Sequence, residues 1–352
     1  MTGATDKKTI ILIGGYPPPY GGITVHIKRL AQILSNQEYH VIVIPTKKIK
    51  KQDLPTLDYH VINFNIILKS LYLLFLCLYK KNLVVHMHVS AFERFQLHGL
   101  ILLALTFNTR RIITLHSGRI LKFKLSNFKR RYLRCLVSKF NKIIVVSEAL
   151  KNFLIELGVS TTPAVIPAYI RSDPSEENVN LLPIAHKDKE FILTSGILNK
   201  TYDHKTILTS AKHFLDQKII FIFTFYGIPD DEHRKAIINE IEKTDNCIFF
   251  DDLGPDSFSA LLNKAKCYVR STLADGDSVV VREALDYQVP VFATSCVERP
   301  EGCHLFDIGD SSHLVKYIEK LIRNEIEKPE ANLDYDFSKN LLATYKETFD
   351  ND

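Results

Sequence analysis

Apolar runs alternate along the first half of the chain with longer stretches whose apolar residues recur every three or four positions. The runs predict strands, and the longer stretches predict helices. The predicted strands are TIILIG (9–14), HVIVIPT (40–46), LVVHMH (83–88), RIITLH (111–116), KIIVVS (142–147) and AVIPAY (164–169). Helices are predicted at 22–36, 64–79, 92–107 and 125–139, and another between Ser147, a capping residue, and Gly158, a terminating one. This order is typical of βα units around a parallel sheet.

The same alternation starts again after a polar stretch with two prolines, RSDPSEENVNLLPIAHKDK (171–189). That composition favours a linker between domains. The later strands are predicted at 191–196, 218–227, 247–252, 267–272 and 289–294, and the later helices at 203–215, 230–243, 256–264, 278–287 and 311–324.

A chain of 352 residues is long enough for two domains. The pattern predicts an α/β protein with two Rossmann-like, doubly wound domains at 1–172 and 189–330, a linker at 173–188, and an acidic tail at 331–352 with a late amphipathic stretch. Ligands of open parallel sheets bind beyond the carboxyl ends of the strands. We therefore expect the two domains to face each other across a cleft lined by those loops.

One stretch invites comparison with a membrane span. FNIILKSLYLLFLCLY (64–79) has sixteen residues and contains Lys69. A spanning helix requires about 20 apolar residues. We therefore predict a buried or surface-lying helix.

Composition indicates a globular protein, because 46% of the residues are hydrophobic and 24% are charged. The six cysteines are scattered, with no CxxC pair and no His/Cys spacing typical of a metal site. With no signal peptide recognised at the start, this pattern favours reduced thiols and a cytoplasmic location.

The charges are distributed unevenly. Residues 1–175 have a balance of +17 and residues 176–352 a balance of −12, which gives the net charge of +5. The basic residues are concentrated at 110–142, which indicates an anionic partner for the first domain. Three interpretations stay open: a solvated face, a surface for anionic lipid headgroups beside the apolar segments, and nucleic acid. Nucleic acid is disfavoured because no recognition motif accompanies the charge.

The loop after the first strand, GGYPPPYGGITVHIKRL, lacks the P-loop and dinucleotide signatures. Gly21 and Gly22 precede a helix, where backbone N–H groups suit an anion or sugar hydroxyls; a rigid proline turn is the structural alternative. Among the histidines at strand ends, His116 is the best placed, because Ser117 and Gly118 break its strand at once. His86 and His88 are expected to be structural, and His26 to be a helix residue facing the turn.

Several polar residues follow the strands of the second half. Ser195 and Gly196 end one strand, and Lys200 and Lys205 lie in the loop after it. Arg270 ends another strand that is otherwise apolar, where an arginine is costly unless it meets an anion. Two interpretations of Arg270 stay open: contact with an anionic ligand, or an ion pair with Asp252, Asp275 or Asp277.

An acidic turn, LADGDSVVVREAL (273–285), leads into a predicted helix that starts near Ser278. Glu283 lies about one and a half turns into that helix. The loop from Asp275 to Ser278 offers N–H groups at the helix N-terminus. A carboxylate at the Glu283 position can accept bidentate hydrogen bonds from a vicinal diol such as a ribose. This arrangement favours binding over acid–base chemistry.

Taken together, four segments resemble the retaining glycosyltransferases of family 4, which have the two-domain GT-B fold. They are PPPYGGITVHIKRLAQIL, KIIVVSEALKNFL with VIPAY, DDLGPDSFSALLNKAKCYV, and LADGDSVVVREALDYQVPVFAT. The last is similar to the family's motif of two acidic residues separated by seven. The resemblance covers nearly the whole chain.

The resemblance implies a role for each matching residue. Glu283 would hold the donor ribose, Asp275 would contact the sugar hydroxyls, and Gly276, Asp277 and Ser278 would present N–H groups to the transferred sugar. Gly21 and Gly22 would form the loop near the donor phosphates and the acceptor, and His116 would face the reacting sugar. The family needs no metal or other cofactor, and its C-terminal helix crosses back to the first domain.

Two departures affect these roles. The first acid of the motif is Asp275, where the family usually has glutamate. The family's Gly-Arg and Lys-Gly diphosphate clamp is also altered, since Ile197 follows Gly196 and Asp203 falls about where lysine is expected. A departing diphosphate needs positive charge. Arg270, Lys200 or Lys205 could supply it, and Arg270 is the first choice.

We therefore expect a hexosyltransferase that moves a sugar from a UDP- or GDP-linked donor to a saccharide or lipid-linked glycan in bacterial surface polysaccharide synthesis. It would be cytoplasmic, with peripheral contact to the inner membrane face through its basic first domain, and would bind no nucleic acid. The alternatives are a nucleotide-sugar epimerase of the same architecture and a non-catalytic relative that binds sugar nucleotides or membranes. A dehydrogenase is disfavoured, because no dinucleotide fingerprint follows a strand.

Overall fold

The computed structural model describes residues 7–49, 58–89, 92–122, 125–175, 189–330 and 336–350. The chain divides into two compact units. The first unit comprises Met1–Pro18, Gly22–Ile170 and Asp336–Asp352, and the second comprises Pro19–Gly21 and Arg171–Tyr335. Of the predicted linker, 173–188, only residues 173–175 lie within the described residues.

The first unit contains a parallel sheet of seven described strands with helices around it. The strands are β1 (Thr9–Gly14), β2 (His40–Pro45), β3 (His60–Val61), β4 (Leu83–Val89), β5 (Arg110–Leu115), β6 (Lys142–Val145) and β7 (Ala164–Val165). Their order in the sheet is β3-β2-β1-β4-β5-β6-β7. The strand order reverses at β1, because β2 and β3 lie on one side of it and β4 to β7 lie on the other. Such a switch point lies where open α/β sheets bind ligands.

The described part of this unit contains six α-helices: α1 (Gly22–Asn36), α2 (Ile66–Tyr79), α3 (Phe92–Leu105), α4 (Asn127–Val137), α5 (Glu148–Leu157) and, much later in the chain, α11 (Ser338–Asp350). A 3-10 helix, Gly118–Lys122, follows β5. Asn65, Ser126 and Ser147 cap α2, α4 and α5 with their side chains, and Gly158 ends α5 with a left-handed φ of 77°. None of the described helices is long and apolar enough to cross a membrane.

The core of the first unit includes residues from the late helix. Leu341, Tyr345 and Phe349 of α11 are buried with apolar side chains of β1, β2, β4 and α1. The 336–350 segment is therefore an integral part of the first unit.

The second unit contains a parallel sheet of six described strands. They are β8 (Glu190–Gly196), β9 (Ile219–Phe225), β10 (Cys247–Asp251), β11 (Cys267–Arg270), β12 (Val291–Thr294) and β13 (Cys303–Phe306). The order is β10-β9-β8-β11-β12-β13, which again reverses, between β8 and β11. Its helices are α6 (His204–Lys212), α7 (Asp231–Glu242), α8 (Pro255–Lys264), α9 (Val279–Asp286) and α10 (Ser311–Ile322).

Central strands of the second unit are buried on both faces, which explains their continuous apolar sequences. All seven residues of β9, IIFIFTF, are buried, and Phe221 and Phe223 pack in the core with Phe214. Two doubly wound parallel sheets are confirmed. The sequence pattern missed β3 and β13, which are short and lie at the ends of their sheets.

Candidate functional site

Arg270 ends β11 with a buried guanidinium that makes an ion pair with Asp275. Its Nε donates to Asp275 Oδ2 at 3.0 Å, and its Nη2 donates to Asp275 Oδ1 at 3.3 Å. Nη1 donates to the backbone oxygen of Ser195 at 3.3 Å. The structure therefore shows the ion pair that the sequence left open as one explanation of this arginine.

A second arginine, Arg299, binds the same carboxylate. Its Nη1 donates to Asp275 Oδ2 at 2.9 Å, and its other nitrogens donate to the oxygen of Thr294 and the hydroxyl of Thr272, each at 3.1 Å. Burial acts to raise the pKa of Asp275, but the guanidinium groups of Arg270 and Arg299 outweigh it and lower the pKa to about 2. Asp275 is thus a carboxylate throughout the neutral range.

Two tyrosines surround Arg270. The Tyr202 ring centroid lies 5.0 Å from the guanidinium carbon, and the Tyr202 and Tyr226 hydroxyls are 3.0 Å apart. Gly196 at the end of β8 makes room for this ring, because a Cβ there would lie 2.4 Å from Tyr202 Cδ1. A side chain at position 196 would therefore displace the aromatic neighbour of Arg270.

The residues of the altered clamp have local structural roles. Asp203 caps α6, accepting from the Thr206 N–H at 3.3 Å and from the Thr206 hydroxyl at 2.5 Å. Lys200, in the loop after β8, and Lys205, in the first turn of α6, are both exposed. The described contacts therefore leave the ammonium groups of these two lysines in solvent rather than in the buried Arg270 cluster.

The acidic turn is held by its own side chains. Asp275 Oδ1 accepts the Gly276 N–H at 3.1 Å, and Asp277 Oδ1 accepts from Arg282 Nε at 2.7 Å. Ser278 caps α9, with its hydroxyl oxygen accepting from the Val281 N–H at 3.4 Å. The helix starts where the sequence predicts, and the loop before it is ordered by ion pairs and a cap.

Glu283 lies on α9 and is only 4% exposed. Its Oε1 accepts from the hydroxyls of Ser172 and Tyr287, each at 3.4 Å. An ionised carboxylate has two oxygens and about four lone-pair sites for accepting hydrogen bonds. A pair of ligand hydroxyls is a suitable partner for it.

In the first unit, four buried histidines converge near the carboxyl ends of β4 and β5. They are His26, His86, His88 and His116. His88 Nδ1 lies 3.0 Å from His116 Nε2, and the ring centroids of His26 and His116 are 5.1 Å apart. Burial lowers the pKa of all four, aided by their mutual repulsion for His86, His88 and His116; His26 falls to about 4. These imidazoles are neutral near pH 7.

Each of these histidines has a different anchor. His26 Nδ1 lies 2.6 Å from the Ala168 oxygen, and His86 is hydrogen-bonded to Tyr345 on one side and to Thr114 on the other. One nitrogen each of His26, His88 and His116 is buried and has no hydrogen-bond partner among the residues that the structure describes. His116 thus joins a group of imidazoles with unused polar atoms, which suits contacts to a polar ligand.

Three of them form a group that could hold a metal ion. One ligand atom from each of His26, His88 and His116 lies within 4.8 Å of the others. A tetrahedral zinc ion with bonds of about 2.0–2.1 Å requires nitrogens roughly 3.3 Å apart. The upper bound of 4.8 Å includes this spacing, and the His88–His116 contact itself has the length of a hydrogen bond.

Gly21 and Gly22 are adjacent in the sequence, but their contacts assign them to different compact units. Gly22 is the first residue of α1 in the first unit. Gly21 belongs to the second unit, where a Cβ would lie 3.2 Å from a ring carbon of Tyr226. Tyr226 therefore limits the residue at position 21 to a small one.

Sequence reasoning missed some residues that the structure brings to these clusters. Arg299 lies in CVERPEG, which has no periodic pattern, and only its contact with Asp275 identifies it. His26 and His88 were expected to be a helix residue and a structural strand residue. Their joint position with His116 depends on the sheet order, in which β4 lies between β1 and β5.

Comparisons with known proteins agree with this architecture. Residues 20–171 match the profile of Glycosyltransferase Family 4, and residues 183–337 match the profile of Glycosyl transferases group 1. No match was found among curated proteins.

Solved structures share the fold at low sequence identity. A glycosyltransferase from Rickettsia africae is 15% identical, with a TM-score of 0.75 over 99% of this chain and 100% of that one. A sucrose-phosphate synthase from Thermosynechococcus elongatus is 15% identical, with a TM-score of 0.71 over 97% and 95%. The Anabaena protein HepE, in complex with UDP and glucose, is 14% identical, with a TM-score of 0.69 over 97% and 96%.

Proposed function

Because this chain belongs to the GT-B glycosyltransferases of group 1 and family 4, we propose that it is a retaining enzyme acting on a UDP- or GDP-linked sugar. The observation that carries the proposal is Glu283, a carboxylate buried on α9 in the acidic turn and helix that follow β11, whose Oε1 accepts from the Ser172 and Tyr287 hydroxyls. The two oxygens of this carboxylate can accept hydrogen bonds from the vicinal hydroxyls of a ribose. The complexes of HepE with UDP and with UDP-glucose support UDP as the first donor nucleotide to test.

The retaining reaction needs no enzymic nucleophile. The bond between the sugar C1 and the diphosphate oxygen breaks, and the acceptor oxygen bonds to C1 from the same face. The acceptor hydroxyl proton passes to the departing diphosphate. In the second unit, Asp275 contacts sugar hydroxyls and Gly276, Asp277 and Ser278 border the sugar. In the first unit, Gly22 and His116 are assigned to the acceptor and sugar side.

We assign the stabilisation of the negative diphosphate charge first to Arg270, with Lys200 and Lys205 as the alternative. Arg270 is buried, and part of its charge is compensated by Asp275. Arg299 also binds Asp275, so the cluster of two guanidinium groups and one carboxylate keeps a net charge of +1. That excess can stabilise an anion. Because Gly21 and Gly196 lack a Cβ, the rings of Tyr226 and Tyr202 can lie close to the backbone at these two positions.

The acceptor is assigned as a saccharide carried on a lipid, in the synthesis of a bacterial surface polysaccharide. The support lies in the first unit, where apolar α2 residues are exposed and α4 carries Lys129, Arg130, Arg131 and Arg134. Exposed apolar residues and a basic helix in the same unit fit an anionic membrane surface. We assign the enzyme to the cytoplasmic side of the membrane, as a peripheral protein without a metal cofactor.

Substitution of Glu283 tests the function. In Glu283→Ala, UDP or GDP binding measured by calorimetry should be lost, because the ribose loses its acceptor. Glu232→Gln, at an exposed acid of α7, is the control and should bind as the unsubstituted protein does. Unchanged nucleotide affinity in Glu283→Ala would refute the assignment.

A non-catalytic sugar-nucleotide binder is the second candidate, favoured by the Arg270–Asp275 ion pair and by Ile197 in the altered clamp. Arg270→Ala separates the two. In an enzyme, turnover should fall more than donor affinity does. If turnover is unchanged, the assignment moves to Lys200 or Lys205.

Absence of transfer and of donor hydrolysis, with nucleotide binding intact, identifies the binder, and turnover without an acceptor identifies an epimerase.

A further inference from the structure

An apolar pocket of about 370 Å³ lies within the first unit, between helices α2 and α3 and the carboxyl ends of β1, β2 and β4. Its walls include Ile13, Ile44, Leu73, Leu102 and Leu105. This volume is in the range of about 300–1,000 Å³ typical of small-molecule sites. A hydrocarbon chain is the ligand that such walls favour.

One wall of the pocket carries a buried cation, Lys69 of α2. The residue is 5% exposed, and its Nζ donates to the Pro45 oxygen at 2.6 Å. Among the described residues it makes no ion pair, and its acceptor is the neutral Pro45 carbonyl. Burial lowers the pKa of Lys69. A buried amine in an apolar wall calls for an anionic group from a ligand.

The surroundings of the pocket are also amphiphilic. Lys47, exposed, is a second basic residue of the lining. Helix α2 exposes Ile66 at 72% and Ile67 at 68%, and Ile66 also lines the pocket. Exposed apolar residues that continue into an apolar pocket provide a path for a chain from a lipid surface.

We propose that this pocket binds the lipid carrier of the acceptor, with the hydrocarbon next to the phosphate between α2 and α3 and the phosphate itself at Lys69 and Lys47. The proposal rests on the proposed function, because it identifies the class of the acceptor's carrier. His88 also lines the pocket, and its Nδ1 lies 3.0 Å from His116 Nε2. A sugar attached to the phosphate therefore lies near the imidazole assigned to the reacting sugar.

Calorimetry with farnesyl phosphate, farnesol and inorganic phosphate tests the site on the full chain. Farnesyl phosphate should bind more tightly than either of the others, because only it satisfies both the walls and Lys69. Lys69→Met should weaken farnesyl phosphate about tenfold to a hundredfold, the range expected for charge-assisted hydrogen bonds. The same substitution should leave farnesol almost unchanged, and Lys139→Met, at an exposed lysine, should leave both unchanged.

Ser70→Phe gives a second variant at the partly exposed edge of the pocket, in case Lys69→Met does not fold. It should weaken farnesyl phosphate and farnesol alike by filling space. Equal affinity for farnesyl phosphate in the unsubstituted protein, Lys69→Met and Ser70→Phe overturns the proposal. A dimer in light scattering that Ser70→Phe dissociates also overturns it, since a second copy then covers the pocket.

UDP binding measured on the same samples separates this proposal from the proposed function. If UDP binds and farnesyl phosphate does not, the pocket assignment fails and the glycosyltransferase assignment stands. If farnesyl phosphate binds and neither UDP nor GDP does, the donor assignment fails and the pocket assignment stands without it.

Discussion

Acidification is expected to destabilise the first unit far more than the second. His26, His86, His88 and His116 are buried and neutral in the folded state, with pKa values lowered by burial first and by their charged or basic neighbours second. In the unfolded chain each has a pKa of about 6.5. The folded state therefore binds fewer protons below that pH, and its stability falls as the pH falls.

The magnitude follows from proton uptake by the unfolded chain. Between pH 7 and pH 5, one histidine that stays neutral when folded lowers the free energy of unfolding by about 2 kcal/mol. Four of them lower it by up to about 8 kcal/mol, which is comparable with the whole stability of a typical domain, about 5–15 kcal/mol. In the second unit, His204 is the corresponding buried histidine, with a pKa lowered by burial to about 4, and contributes about 2 kcal/mol.

Hydrogen exchange measured by mass spectrometry at pH 7, 6 and 5, corrected for intrinsic rates, follows the two units separately. Peptides of β4 should lose protection steeply, and peptides of β9 only slightly. His86→Gln should reduce the loss in β4 by about 2 kcal/mol, whereas His213→Gln, at an exposed histidine of the second unit, should not change it. Equal losses in β4 and β9, or no loss by pH 5, would show that these histidines are not buried and neutral.

Three further outcomes are expected from the second unit and from the proposed chemistry. Arg299→Met should lower the free energy of unfolding by about 1–3 kcal/mol in urea denaturation, because its hydrogen bonds to Asp275 and Thr272 are lost while Asp275 keeps Arg270; an unchanged stability contradicts the ion-pair geometry. Gly196→Ala should cost about 1–3 kcal/mol by displacing Tyr202, whereas Gly254→Ala, where a Cβ meets nothing within 4 Å, should cost less, about 0.5–1 kcal/mol, through the poorer N-cap of α8; a larger cost at position 254 refutes the contact. Sugar transfer should persist after EDTA treatment and dialysis, and a loss that Mg²⁺ or Mn²⁺ restores refutes metal independence.

Long elements were predictable because their apolar patterns are strong. The β9 sequence, IIFIFTF, identifies a strand buried on both faces, and Ser147 and Gly158 delimit α5. The short strands β3 and β13 were missed because two and four residues at a sheet end carry too little pattern. Their strand conformation depends on pairing with β2 and β12, which is tertiary information.

The second-unit cluster was partly predictable. Arg270 and Asp275 are five positions apart, so an arginine in an apolar strand and an acid in the following loop suggest their own pairing. Arg299 comes from 24 residues beyond Asp275 and reaches it only in the folded unit. Local sequence therefore indicated one guanidinium of the cluster and could not indicate the other.

The histidine group shows the same limit in the first unit. His86, His88 and His116 lie at the ends of strands, which the sequence does show. Their convergence with His26 requires β4 to lie next to both β1 and β5, with α1 above them. Sheet order is not encoded in the apolar pattern of any single strand, so the contact could not be derived from it.

The position of α11 has a consequence for the order in which the chain folds during synthesis. Domains usually fold as they leave the ribosome, with the N-terminal one first. Here the second unit is complete at Tyr335, before α11 has been made. Until then, His86 cannot form its hydrogen bond with the Tyr345 hydroxyl, and the apolar side chains that pack against Phe349 are not covered by α11. The first unit to be synthesised is therefore the last to be completed, and the nascent chain keeps an open apolar core throughout translation of the second unit.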